Sequence, residues 1–434
     1  MTPQAAFMIV ARVRDGMLDD LRQLLSGLNQ ASALADPENP LIPFGRFDRL
    51  HTARLVVIES HTLEDIHAFG VSPRPWQPAL ALIGDVDGDV DSFLAELADR
   101  AGPGLARMFS HCEGFAGAER DFQGWLKDHN VTPAVNYVNY VGRTVRQVRE
   151  EAALHASLSE HLQEILDDLE GMDPRKLRQR LVTHVEWEQH NGNLTLTHDE
   201  PTPLVWRLRN LAHLIGVPLI LLLLSPVFLL ISPLFILRLR QLEKSDPELF
   251  IRPDREYVMA LAAQEDRDVT NQYNVFGDLK PGLFRRWTFK FTLILIEYFA
   301  RHVYNRGFLS RIRTIHFARW VVMDEQHRVF FASTYDGSHE SYMDDFINKV
   351  GWGLNLSFSH GAGYPTTSWL IKEGANREMQ FKYTQRRHQL GSEVWYKAYP
   401  GLTAVDLHRN SRIREGVECR PSSLDEMREW LSLI

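Results

Sequence analysis

The chain contains an internal repeat, and the repeat limits its fold more than any other feature. Ala332–Pro365 reads ASTYDGSHESYMDDFINKVGWGLNLSFSHGAGYP, and a looser copy, IGDVDGDVDSFLAELADRAGPGLARMFSHCEGF, occupies Ile83–Phe115. Asp87-Gly88 aligns with Asp336-Gly337 and His111 with His360, each at a separation of 249 residues. In that register Ser110 meets Ser359, Gly114 meets Gly363 and Phe115 meets Tyr364. Upstream, LHTAR (50–54) aligns with IHFAR (315–319), 265 residues on, and a longer loop in the first copy absorbs the difference. Downstream, YVGRT from Tyr140 matches YPGLT from Tyr399. Matches that keep their order along the chain indicate two copies of one structural unit.

The apolar patterning gives that unit a form. In the first copy, Phe7–Arg14 reads as a strand. Met17, Leu18, Leu21, Leu24, Leu25 and Leu28 then recur at helical spacing. TARLVVIES and Ala79–Ile83 read as strands, Val90–Arg100 as an amphipathic helix and Ala134–Tyr140 as a last strand. The second copy repeats the order in NVFGDLKPG, LFRRWTFKFTLILIEYFARHVYNRG, IHFARWVVMDE, HRVFFASTY, HESYMDDFINKV and EVWYKAYPG. Strand, helix, strand, strand, helix, strand is the ferredoxin-like order. The expected fold is α+β: two tandem ferredoxin-like modules, residues 1–149 and 270–416, forming a pseudo-two-fold barrel or paired sheets. A helical insertion fills 150–269, and 417–434 is a tail or short helix. Helices cover one face of each sheet, so the modules are expected to bring their open faces together. The space between them is either core or a ligand site.

The insertion carries an apolar run. No charged residue occurs from Leu214 to Leu237, and about 20 apolar residues suffice to span a bilayer core. The membrane segment is placed at 211–237, with Pro218, Pro226 and Pro233 inside it. Arg207 and Arg209 precede it, and Arg238 and Arg240 follow. Basic residues favour the cytoplasmic side, so two basic ends give a straight span no orientation. Three readings stay open: a kinked span, a re-entrant or interfacial hairpin turning at Ser225-Pro226, and a buried helical hairpin. The stretch 283–306, apolar and aromatic in the middle and basic at its ends, is either an interfacial helix or a helix packed on a sheet. With 2 Cys there is no disulfide framework, and the N-terminus reads as a first strand rather than a signal peptide. The modules are therefore expected to face the cytoplasm. A net charge of −8 argues against a generic nucleic-acid binder.

Several residues are candidates for chemistry. Asp336 or Ser338 can cap the following helix, with Gly337 allowing the turn. His111 and His360 precede small-residue turns and are weak candidates as metal or haem ligands. On the strands, alternation puts His51, Ala53 and Leu55 on one face and Thr52, Arg54 and Val56 on the other. His316 and Arg319 repeat this in the second copy. An Arg on an apolar face needs a carboxylate or an anionic ligand, and Asp336 is the expected partner of Arg319. Arg386 and Tyr399, in the basic and aromatic C-terminal part, are candidates for anionic head groups. No nucleotide-binding glycine loop, zinc motif or nucleophile elbow occurs.

The stretch HFARWVVMD…FASTYDGSHESYMDDF resembles bacterial proteins with two ferredoxin-like halves. More distantly, the chain is similar to the dimeric α/β-barrel superfamily, which includes dye-decolorizing peroxidases, chlorite dismutase-like haem proteins and small monooxygenases. The peroxidase resemblance implies haem as cofactor, with Asp336-Gly337 on its distal side; the wider glycine pattern of that motif is missing. The expectation from residues and resemblance together is a membrane-associated binding or scaffold protein that holds an apolar or anionic lipid-like ligand between its modules. Two alternatives remain: a haem-dependent oxidoreductase using Asp336, Arg319 and His360, and a subunit of a larger membrane complex. Membrane lipid is the expected partner, a homodimer the expected assembly.

Overall fold

The computed structural model describes residues 1–165, 172–419 and 423–434. In chain order, the first half holds β1 (Gln4–Arg12), α1 (Leu18–Ser26), short strands β2 (Asn29–Ala31) and β3 (Leu34–Ala35), β4 (Leu50–Ile58), α2 (Leu63–His67), β5 (Ala79–Asp87), α3 (Val90–Phe109), α4 (Phe122–Asp128) and β6 (Val135–Val138). Mid-chain helices follow: α5 (Val145–Glu164), α6 (Pro174–His190), α7 (Leu204–Ser245) and α8 (Arg255–Ala262). The second half holds β7 (Thr270–Asp278), α9 (Leu283–His302), β8 (Ile315–Met323), β9 (Arg328–Asp336), α10 (His339–Phe358), β10 (Thr367–Ser368), β11 (Lys372–Glu373), α11 (Glu378–His388), β12 (Val394–Lys397), α12 (Ala404–Glu418) and α13 (Leu424–Leu431). The chain is a mixed α and β protein with several sheets and one long apolar helix.

The repeated Asp-Gly makes the same turn twice. Gly88 and Gly337 have φ of +81° and +85°, a region that costs any side chain a clash. The helix after each turn is capped by the next polar residue but not by the Asp. Asp89 accepts from Ser92 N at 2.9 Å and Ser338 from Ser341 N at 3.3 Å. Of the two residues expected to cap α10, Ser338 does so, and Asp336 reaches a different helix, described below. α3 also runs nine residues past its expected end, because Leu105, Met108 and Phe109 keep its apolar face on the core.

The fourth strand of each half joins the other half's sheet. The first sheet runs β1-β5-β4-β12-β3-β2 and the second β6-β8-β9-β7. β12 lies antiparallel to β4, with Trp395 opposite Arg54. β6 lies antiparallel to β8, with Asn136 opposite Arg319. Just upstream, each of these segments touches its own half: Val131 N donates to Met8 O at 2.8 Å, and Leu390 N to Asn274 O at 2.9 Å. The two sheets are thus laced into a ring. Inside it, Met8, Val56, Ile58, Ala81 and Ile83 meet Phe276, Val321, Phe330, Ala332 and Leu390. The space between the sheets is therefore core, and the expected ligand cleft there is filled.

Helices cover the outer faces: α1 and α3 on the first sheet, α9, α10 and α11 on the second. α5 pairs with α12 and α6 with α13 around Leu154, Leu158, Leu181, Val185, Ile413 and Trp430. Residues 166–171 of the expected helical insertion lie outside the described residues.

The apolar run is not a hairpin. It lies within one continuous helix of 42 residues, Leu204–Ser245, whose most apolar 18-residue window has a mean hydropathy of 2.8 and is nowhere buried. A proline in a helix frees the carbonyl four residues back, and here each freed carbonyl meets a hydroxyl. Leu214 O, freed by Pro218, accepts from Tyr298 of α9 at 3.2 Å. Leu222 O, freed by Pro226, accepts from Ser225 at 2.7 Å. Leu229 O, freed by Pro233, accepts from Ser232 at 2.8 Å. The Ser-Pro pairs that suggested a turn instead keep the helix going, because each serine replaces the donor its proline removes.

Candidate functional site

Arg54 and Arg319 both point into the ring between the sheets, and both are buried. Each crosses to the opposite sheet. Arg319 donates to Phe7 O and Gly84 O, both at 3.1 Å, and pairs with Asp85. Arg54 donates to Ser333 O at 3.0 Å, Asn274 Oδ1 at 3.0 Å and Thr334 Oγ1 at 2.5 Å, and lies over the Trp395 ring at 5.0 Å. The arrangement is two-fold except in charge, since Asp85 faces one guanidinium and Thr334 the other. Burial, reinforced by the Arg319 charge, pulls Arg54 down to about 9, which leaves it protonated at neutral pH. The expected partnership of Arg319 with Asp336 does not occur. Arg319 lies opposite Ala332 on β9, four residues or roughly 13 Å from Asp336.

Asp336 and its counterpart Asp87 instead tie three elements together. Asp336 accepts from His316 Nε2 at 2.7 Å, from the Thr270 hydroxyl at 2.7 Å and from Ala404 N, the first residue of α12, at 2.7 Å. Burial raises this carboxyl, but the charge and hydrogen bond of His316, with the Ala404 and Thr270 donors, outweigh it and hold it below its usual value. Asp87 accepts from His51 Nε2 at 2.9 Å and from Val145 N, the first residue of α5, at 2.9 Å. With Nε2 protonated, His51 Nδ1 accepts from the Tyr399 hydroxyl, 3.1 Å away. His51, His316 and Tyr399 converge on a cavity of about 30 Å³, the size of one or two waters.

His111 and His360, equivalent in sequence, differ in surroundings. His111 is partly exposed, its Nδ1 near the carbonyls of Arg107 and Met108. His360 is buried, and among the described residues neither ring nitrogen reaches a side-chain hydrogen-bond partner. Burial, then the charges of Lys280 and Arg285, pull it down to about 3. Both cations bind Asp246 Oδ2, at 2.8 and 2.6 Å, at the end of α7. Arg386 makes a two-pronged pair with Glu265 at 2.5 and 3.1 Å.

These positions test the haem expectation. Asp336 lies opposite the first residue of β7, whereas the His360 carbonyl accepts from Lys280 N, just past the last residue of that strand. Nine strand residues put roughly 27 Å between them. Arg319 is spent on Asp85 inside the ring. Asp336, Arg319 and His360 do not share a site, so they do not fit a haem between them.

An apolar cavity lies elsewhere, on the helix side of the second sheet. It measures about 200 Å³ and is bounded by β6, β8 and β9 on one side and α9, α10 and α11 on the other. Leu295, Ile296, Phe299 and Ala300 supply the α9 wall. α10 bends at Val350, whose backbone leaves the helical region (φ −142°, ψ 28°), and lines the opposite wall with Val350, Trp352 and Gly353. Phe299 and Trp352 are about half exposed and mark the mouth. Among the described residues the walls carry one polar atom without a partner, Trp320 Nε1, while the Tyr137 hydroxyl faces the Asn139 side chain. Buried polar groups of this kind normally find a partner. Sequence reasoning missed this site. Its traces are the aromatic density of 283–308 and the Val350-Gly351-Trp352-Gly353 run that loosens α10.

In comparisons with known proteins, no family model, curated protein or solved structure matches this chain.

Proposed function

We propose that the protein is a membrane-surface binding protein whose ligand is a neutral single-chain amphiphile, an acyl or isoprenoid chain bearing a carbonyl or hydroxyl oxygen. The observation that carries this reading is the cavity beside α9: largely apolar, open at two exposed aromatic rings, and equipped with an unpartnered donor, Trp320 Nε1. A cavity of roughly 150 Å³ lined by aliphatic and aromatic groups takes up benzene, so this one has room for part of a chain. An oxygen on that chain would accept from Trp320 Nε1, which otherwise stays unpaired at a cost of about 1–3 kcal/mol. α9, one wall of the cavity, is also the helix on which α7 rests, so the mouth sits where a lipid would arrive. The two ring-laced halves read best as ferredoxin-like modules that exchange their last strands, as two subunits would in the dimeric α/β-barrel group. In this reading the ring is scaffold, and the site lies on the outer side of the second sheet, to which the first half contributes β6 with Tyr137.

The test is lipid extraction from the purified protein followed by mass spectrometry, with Gly353→Trp as control. A Cβ built on Gly353 meets no heavy atom within 4 Å, so the indole can fill the cavity without displacing the fold. The expected result is one enriched amphiphile in the wild type, reduced at least tenfold in Gly353→Trp. Equal lipid content in the two would remove the cavity as the site.

A further inference from the structure

α7 does not stand away from the body. Its half-buried residues form one stripe, from Trp206 through Asn210, His213, Val217 and Leu221 to Phe228, spaced by three or four as one helix face requires. That stripe lies on α9, which runs antiparallel to it. Phe235 meets Phe284 with ring centroids 5.0 Å apart, and Phe228 meets Phe291 at 5.7 Å. At the other end Asn210 Oδ1 accepts from Arg301 at 2.8 Å, and His213 Nε2 pairs with Glu297 at 2.9 Å. α9 in turn rests on the second sheet along its whole length, through Phe289, Leu293 and Ala300. The order of layers is sheet, α9, α7.

We infer that α7 lies in the plane of a single bilayer leaflet, with both of its ends on the side of the membrane that holds the body. The charge-free stretch is long enough to cross, about 36 Å at 1.5 Å per residue. Crossing while α9 stays attached would drag the second sheet's layer, including the paired charges Asp344 and Lys382, through hydrocarbon. An in-plane helix meets no such cost. It buries its outer apolar faces in acyl chains and keeps Arg207, Arg209, Arg238 and Arg240 at head-group level, where anionic lipids attract them. α9 adds a parallel exposed stripe, Leu283, Trp287, Phe291 and Ile294, at the spacing of one helix face. The occupant of this surface is an anionic lipid leaflet. The inference rests on membrane association but not on the cavity's ligand.

Single cysteines test it in the full chain with Cys419→Ser, since Cys112 is buried. Arg209→Cys and Lys244→Cys report the two ends, and Leu223→Cys the exposed middle. Each variant is bound to sealed phosphatidylcholine vesicles containing phosphatidylglycerol, floated, and treated with a membrane-impermeant maleimide. The expected result is equal labelling of both ends within twofold without detergent, and at least a tenfold loss at Leu223→Cys relative to free protein. One end protected until detergent is added would overturn the in-plane seat and leave the cavity reading intact. Failure of all variants and of the wild type to float would overturn the seat and the membrane location together.

Discussion

The two arginines inside the ring carry an imbalance of charge that single substitutions expose. Among the described residues Asp85 is the one carboxylate facing Arg319 and Arg54, and its loss would leave two buried guanidinium groups held only by neutral oxygens. Breaking a buried pair from one side costs about 3–5 kcal/mol. Asp85→Asn is therefore expected to lower the urea-unfolding free energy by that amount, whereas Thr334→Ala, which removes one neutral acceptor from Arg54, should cost about 1 kcal/mol. Equal losses would contradict the unequal roles assigned to these two equivalent positions. Acid sensitivity separates two other residues. The folded pKa of Asp336 is depressed, so the stability it contributes is present above the unfolded carboxylate value of about 3.9 and is lost as pH falls through the folded value. His360 is also depressed, from about 6.5 when unfolded to about 3, so its contribution declines as pH falls below 6.5. Unfolding midpoints measured against pH should flatten between pH 6.5 and 4 in His360→Leu, and only below about pH 4.5 in Asp336→Asn. A flattening of the same region in both would mean that the two groups are not distinguished by their surroundings.

At the scale of the element, α7 depends on a pairing of prolines with hydroxyls. If Ser225, Ser232 and Tyr298 serve the carbonyls freed by Pro226, Pro233 and Pro218, they become dispensable once alanine restores the missing N–H groups. The triple variant Ser225→Ala, Ser232→Ala, Tyr298→Phe should lose about 0.6 kcal/mol per hydroxyl. In a background with all three prolines changed to alanine the same loss should fall near zero. Thermal midpoints of the four proteins in detergent measure the coupling, and purely additive effects would show that the hydroxyls act independently of the prolines. The length and continuity of α7 were hidden in the sequence because Ser-Pro reads as a turn when it is seen locally. What decides is whether a donor lies near the freed carbonyl, and for Pro218 that donor comes from α9, more than 70 residues away. Strand and helix order, by contrast, was readable in both halves, since apolar period and capping are local. Arg54 with Val56 and Ile58 on the inner face, and Ala53 with Leu55 on the outer, follows directly from alternation. The exchange of β6 and β12 was not readable, because a four-residue strand such as Val135–Val138 carries no mark of which sheet it will join.

For the whole molecule, the two sheets differ in how their outer faces are covered. The first sheet's outer face is closed by a well-packed core of Phe7, Phe47, Phe93, Phe109 and Trp125. The second has the bent α10, the cavity and the apolar layer of α9 and α7. Equivalent residues have diverged accordingly: His111 sits at the surface and His360 is sealed beside the charges that anchor α7. The sequence showed the repeat and the apolar run, but not that both meet at one site, since that depends on α9 packing against the second sheet on one side and α7 on the other. The most direct test of the account is photo-crosslinking of the full chain in lipid vesicles with a diazirine-bearing fatty acyl ester, followed by peptide mapping. The account predicts adducts on α9 around Leu295–Ala300 and on α10 around Val350–Leu354, suppressed by Gly353→Trp. Adducts along the lipid-facing side of α7 are expected in both proteins; adducts concentrated on the inner ring residues, or none at Leu295–Ala300 and Val350–Leu354 that Gly353→Trp suppresses, would contradict it.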